Sequence, residues 1–180
     1  YQGTFPPQGS KDHPMVPALS FQGDSSISFE QQELHLKEGV LRTPASVITY
    51  SGSVSFSGAY RLELDLLSQQ SGELFTLAGY TEIPKQFLAQ DSIDLRGPTR
   101  ISGTLEGGEN PFGLRGTVRS ERIFFRDELL GDFESQVRLS EDTLQLEDAR
   151  LQGPGFDLRA SLSSCQPKSR STTMRFWCPN

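Results

Sequence analysis

Between Ile48 and Leu66 the chain alternates apolar and polar residues almost without error. Ile48, Tyr50, Val54, Phe56, Tyr60, Leu62, Leu64 and Leu66 share one parity, with Gly52 and Gly58 among them. Serine, threonine, arginine and carboxylates fill the other parity. A period of two marks extended chain with one apolar and one solvated face. At ~3.3 Å per residue a straight strand over 48–66 would reach roughly 60 Å, so the run must fold back on itself. Ser57-Gly58-Ala59 is the natural break. A two-residue hairpin loop would switch parity, whereas a three-residue loop keeps it. The pattern therefore predicts a hairpin with Phe56 opposite Tyr60 and Gly58 taking the unusual backbone angle.

The same alternation recurs along the chain. Ile27 and Phe29 come first, then Leu34 and Leu36 around His35, with a turn expected at Lys37–Gly39. Ile93, Leu95, Ile101 and Leu105 follow on odd positions, with Asp94, Arg96, Arg100 and Glu106 on the other face. The turn signal "GGENPFG" (107–113) precedes Leu114 and Val118, and "RIFF" (122–125) leads to a turn at Arg126–Glu128. Phe133, Val137 and Leu139 alternate next; after a turn at Ser140–Asp142 come Leu144 and Leu146. The turn "QGPG" (152–155) opens the last clear strand, Phe156, Leu158, Ala160 and Leu162. About ten strands joined by short turns, wet on one face only, predict an all-β antiparallel meander. Residues 67–91 are the least regular, with a short helix expected near Gly72–Ala78 and irregular chain around Pro84. The expected organisation is a Pro/Gly-rich, partly irregular entry over 1–22 with room for a short edge strand, a sheet over 23–163 and an irregular basic tail over 164–180. One internal echo stands out: "LHLKEGVLRTP" (34–44) and "LQLEDARLQGP" (144–154) share leucines and a proline at an offset of 110.

Composition narrows the functional classes. Hydrophobic residues are only 34% of the 180, so the core is one layer deep or the apolar face is not fully buried within the chain. A net charge of −6 without a basic stripe argues against nucleic-acid binding. No apolar run approaches the ~18–20 residues that span a bilayer. The first methionine stands at position 15 and no signal peptide precedes it, so an excised segment is expected. Cys165 and Cys178 both lie in the tail, where either two thiols or one disulfide is open. His13 and His35 have no second ligand at metal spacing, and no strand–elbow–helix context surrounds any serine. The carboxylates Glu63 and Asp65 read as surface charge rather than as a glycosidase pair. No enzyme activity, metal or cofactor is expected.

The stretches "LHLKEGVLRTPASVITYSGSVSFSGAYRLELDLLSQ" and "LRGPTRISGTLEGGENPFGLRGTVRSERIFF", with the strands that follow to Ser164, resemble the AsmA-like superfamily and within it the TamB-type proteins. The resemblance is one of texture, carried by "G-x-L-x-G…P-x-G-L-x-G-x-V" (103–118) and "L-x-L-x-D-x-R-L" (144–151). It implies an extended antiparallel sheet curled into an open trough, a β-taco, in the periplasm of a diderm bacterium. It implies an inner-membrane anchor outside this chain and neighbouring repeats of the same long chain. The implied cargo is phospholipid, whose acyl chains would lie on the alternating apolar residues named above, and the implied partner is an outer-membrane barrel assembly protein. The alternative is a closed β-sandwich serving as a binding module or adhesin segment.

Overall fold

The computed structural model describes residues 1–5, 18–79, 93–109, 111–125, 127–140, 143–165 and 172–177. Twelve strands form one antiparallel sheet: β1 (Gln2–Phe5), β2 (Leu19–Glu30), β3 (Glu33–Arg42), β4 (Ser46–Ser55), β5 (Tyr60–Ser68), β6 (Ile93–Leu95), β7 (Thr99–Gly107), β8 (Gly113–Phe125), β9 (Glu128–Ser140), β10 (Thr143–Gly153), β11 (Phe156–Cys165) and β12 (Thr172–Trp177). A helix, α1 (Ser71–Gly79), follows β5. Spatial order follows chain order except for β6, which pairs with the end of β8 while β7 pairs with its beginning. Among the described residues β1 pairs only with β2 and β12 only with β11, so the sheet is open and does not close into a barrel.

The hairpin at Gly58 has the expected odd loop with a different register. Val54, not Phe56, stands opposite Tyr60. Ser55 N–H donates to Ala59 O at 2.8 Å, and Gly58 takes φ +99°. Phe56 is therefore pushed out of the strand to the loop tip. There it is 69% exposed and stacks on Phe29 of the neighbouring hairpin at 6.3 Å.

The turn expected at Lys37–Gly39 is instead a bulge inside a continuous β3. Its pairing with β4 jumps between Leu36 and Gly39, and Glu38 takes a left-handed φ of 50°. An extra residue in one strand reverses its side-chain phase. Leu34 and Leu36 before the bulge and Leu41 after it thereby come to the same face, despite their opposite parity in the sequence. The repeat echo reappears here as geometry: β10 jumps between Leu146 and Ala149, and Asp148 has the same φ of 50°. A third bulge in β8, with Arg122 at φ 52°, brings Ile123 onto the face of Phe133.

Within 1–22, β1 is a short edge strand and β2 begins at Leu19; within 164–180, in place of the expected irregular chain, Thr172–Trp177 add β12 to β11. The helix expected near Gly72–Ala78 is α1. Glu73 ties it to the β3–β4 turn, accepting from Ala45 N–H at 2.9 Å and from the Thr43 hydroxyl. His13, Pro84 and Cys178 lie outside the described residues, as do Arg126, Glu141 and Asp142 of two expected turns.

Candidate functional site

Register aligns the apolar residues into rows across the sheet. One row runs Leu41, Ile48, Leu66, Ile101 and Val118. The next runs Leu36, Gly52, Leu62, Leu105, Leu114, Leu139 and Leu144. A third runs Gly39, Tyr50, Leu64, Gly103, Gly116, Val137, Leu146 and Leu162. Phe133, Leu151 and Leu158 continue the face beyond the β10 bulge, with Phe156 opposite Gly153 at the turn. Of the residues expected from sequence, Phe56 is the one displaced from this face. Ile93 and Leu95 stand opposite Phe125 and Ile123, their side chains lying outside the described residues.

Leu34 and Leu36, expected as inward leucines around His35, lie on the face, which also holds residues the alternation did not assign to it, including Leu41, Ile123 and Leu151. Their parity conflicts with the run that precedes or follows them. The signal that could have placed them is the bulge, written as two adjacent charged residues inside a strand (Lys37-Glu38, Glu121-Arg122, Glu147-Asp148).

Burial across the face is uneven. Val137, Leu139, Ile123 and Ala149 are buried, but Ile48, Tyr50, Leu62, Leu64, Leu105 and Leu146 are only half-buried. Ile27, Phe29 and Leu158 are exposed. In the third row, Gly103 and Gly116 bring two backbones together more closely than side chains allow. A Cβ on Gly103 would lie 2.2 Å from Arg115 O, and one on Gly116 2.1 Å from Ser102 O. Such interior glycines mark tight bends and close backbone approach. At Gly39 the space is taken by the Tyr50 ring, whose hydroxyl meets that of Tyr1 at 2.6 Å.

One end of the apolar face is finished by a polar rung. Ser46, Ser68, Thr99 and Ser120 stand side by side in register and are almost fully buried. Ser46 donates to Ser68 at 2.8 Å, and the Thr99 and Ser120 hydroxyls lie 2.7 Å apart, so each buried hydroxyl has a partner.

The opposite face is laced with ion pairs. Arg100 bonds Asp65, Arg119 bonds Glu134 at 2.8 Å, Arg138 meets Glu147 at 3.3 Å, and Arg150 forks onto Asp157. The Arg100 hydrogen bond holds the Asp65 carboxyl below its ordinary range, and Arg150 does the same for Asp157. Glu63 accepts from the Thr104 hydroxyl at 2.9 Å. Both carboxylates of the Glu63/Asp65 pair are thus engaged with neighbours on the sheet. Among the described residues no group of three or more His, Cys, Asp or Glu is placed to hold a metal ion. No protein-family model, curated protein or solved structure matches the chain.

Proposed function

We propose that the sheet curls lengthwise into an open trough whose apolar face carries phospholipid acyl chains. In this reading the chain is a segment of an AsmA-like, TamB-type protein of the periplasm. It would move phospholipid between the inner and outer membranes, aid outer-membrane protein assembly, or do both. The observation that carries the proposal is a continuous apolar face, rowed across β3 to β11 and left half-exposed on a sheet whose two edge strands, among the described residues, pair on one side only. Large exposed apolar patches mark sites of interaction with apolar partners. Strands of 9 to 13 residues run about 30–43 Å, long enough to give the face room for extended acyl chains. Each methylene laid on the face contributes about 0.8 kcal/mol. On a near-uniform row of leucines that gain changes little from place to place, so lipid can slide. The close backbone approach at Gly103 and Gly116 supports sharp curling, and the ion-paired face suits the solvated outside of the trough.

A photo-crosslinking amino acid at Leu105, compared with one at the adjacent Thr104 on the charged face, tests the reading. Protein isolated without detergent from a diderm envelope should crosslink phospholipid from position 105 and not from 104. Equal yields from the two positions, or none from either, would refute it.

A further inference from the structure

Among the described residues the charged face sets arginines directly opposite each other at three places, Arg100–Arg119, Arg115–Arg138 and Arg150–Arg159, the last sharing Asp157. Arg100 and Arg119 stand directly opposite each other on β7 and β8. Like charges so placed repel, and each has its own carboxylate, Asp65 and Glu134. Arg115 and Arg138 stand opposite each other in the same way on β8 and β9. Arg138 has Glu147 at 3.3 Å, but Arg115 pairs with none of the described residues. The carboxylate two places along its row, Glu63, is taken by Thr104.

This unbalanced pair lines a depression of about 560 Å³ across β5, β7, β8, β9 and β10. Arg61 also lines it, paired to Glu106 at 3.4 Å. Of the three guanidiniums lining it, Arg61 and Arg138 are paired to Glu106 and Glu147, which leaves Arg115 as the one positive charge in excess, in a chain whose net charge is −6. Thr143 and Gln145 add a hydroxyl and an amide to the wall.

We propose that this depression binds a phosphate ester carrying hydroxyl groups, with Arg115 as its main contact and Arg138 and Arg61 flanking. The argument for phosphate is geometric. Directly opposite residues hold their Cβ atoms about 4.5–5.5 Å apart, so one group can take both guanidinium forks once Arg138 exchanges Glu147 for it. A phosphate offers three terminal oxygens to two bidentate forks, whereas a carboxylate offers two. The depression is far larger than one phosphate, and its polar wall suits a hydroxylated remainder. The site lies on the face opposite the apolar rows and does not rest on the lipid reading.

The probes are glycerol 3-phosphate and acetate, titrated at low salt while following the arginine Nε–H signals by NMR. Glycerol 3-phosphate should shift the Arg115 and Arg138 signals saturably, with acetate at least tenfold weaker. Arg115→Gln should weaken glycerol 3-phosphate at least tenfold, Arg138→Gln should weaken it several-fold, and Arg119→Gln should change it less than twofold. Circular dichroism checks that each variant is folded. Flotation with vesicles containing lysophosphatidic acid, a phosphomonoester with a free hydroxyl, identifies the source of the ester. Capture lost in Arg115→Gln assigns a lipid headgroup, and capture absent or unchanged assigns a soluble ester. No saturable shift, or equal losses in Arg115→Gln and Arg119→Gln, would overturn the site. Lipid crosslinking from position 105 should be unaffected by Arg115→Gln, which keeps the two readings separable.

Discussion

An aspartate placed at Leu158 and another at Val137 should have very different costs, although both positions belong to one face. Leu158 is 48% exposed and Val137 only 6%. Fully burying an aliphatic side chain contributes about 1.5–3 kcal/mol, so the half-exposed Leu158 contributes roughly 1 kcal/mol by the same measure. A carboxylate there stays hydrated, and Leu158→Asp should lower stability by about 1–1.5 kcal/mol. For a domain of this size that is about 2–6 °C in Tm. Val137→Asp loses nearly all its burial and also places a charge where no partner awaits it, which costs several kcal/mol more. The total approaches the ~5–15 kcal/mol by which whole domains are stable. Urea titration with a shared m-value would measure both differences. Phospholipid retained by the folded Leu158→Asp protein should fall at the same time. If Leu158→Asp were as damaging as Val137→Asp, the face would be closed against a second layer. The open trough would then be wrong, and with it the lipid reading.

Asp65 and Arg100 give a pH test. Its hydrogen bond to Arg100 lowers the Asp65 pKa in the folded state below the ordinary 3.8, so the pair stabilises the protein above that value. The contribution is lost as pH falls through the lowered folded-state pKa. The stability deficit of Asp65→Asn should therefore be constant above about pH 5 and shrink toward zero in acid; a deficit unchanged down to about pH 2 would contradict the assignment. At the β10 bulge, Asp148 holds φ 50°. Asp148→Gly should change stability by less than about 0.5 kcal/mol, because relief of the left-handed angle offsets added freedom in the unfolded chain. Asp148→Val should cost about 1–2 kcal/mol or more. Equal melting of the two variants would remove the bulge from the account.

Much of the fold was written in the period of two, because a sheet with one wet face forces strict alternation on every strand. The hairpin at Gly58 shows where that reading stops. Parity fixed an odd-length loop but could not distinguish Phe56 opposite Tyr60 from Val54 opposite Tyr60, since a shift of two residues leaves every side chain on its face. Lys37–Gly39 shows a second limit: a bulge and a turn both interrupt alternation, and only the pairing partner separates them. The strand at 172–177 carries Met174 and Phe176 at spacing two, but within a basic stretch the signal was too short to count. The Arg115–Arg138 pair was illegible for another reason. Opposed residues on adjacent strands are far apart in sequence, so charge balance across the sheet appears only once register is known.

The bulges at Glu38, Arg122 and Asp148 interrupt three of the long strands, of 10, 13 and 11 residues, without ending them. A bulge increases local twist and bends its strand, so β3, β8 and β10 can follow a curved sheet without breaking their ladders. Each bulge also reverses phase, and the sequence reverses its apolar parity at the same residue pair. Leu36 to Gly39, Ser120 to Ile123 and Leu146 to Ala149 all make the change within one step. Two mismatches that would each expose a row of leucines therefore cancel. That the cancellation occurs at equivalent places, with Glu38 and Asp148 at the same φ and 110 residues apart, makes the echo a unit of construction. A chain built by repeating strand, bulge and turn can extend one apolar face without a fixed end.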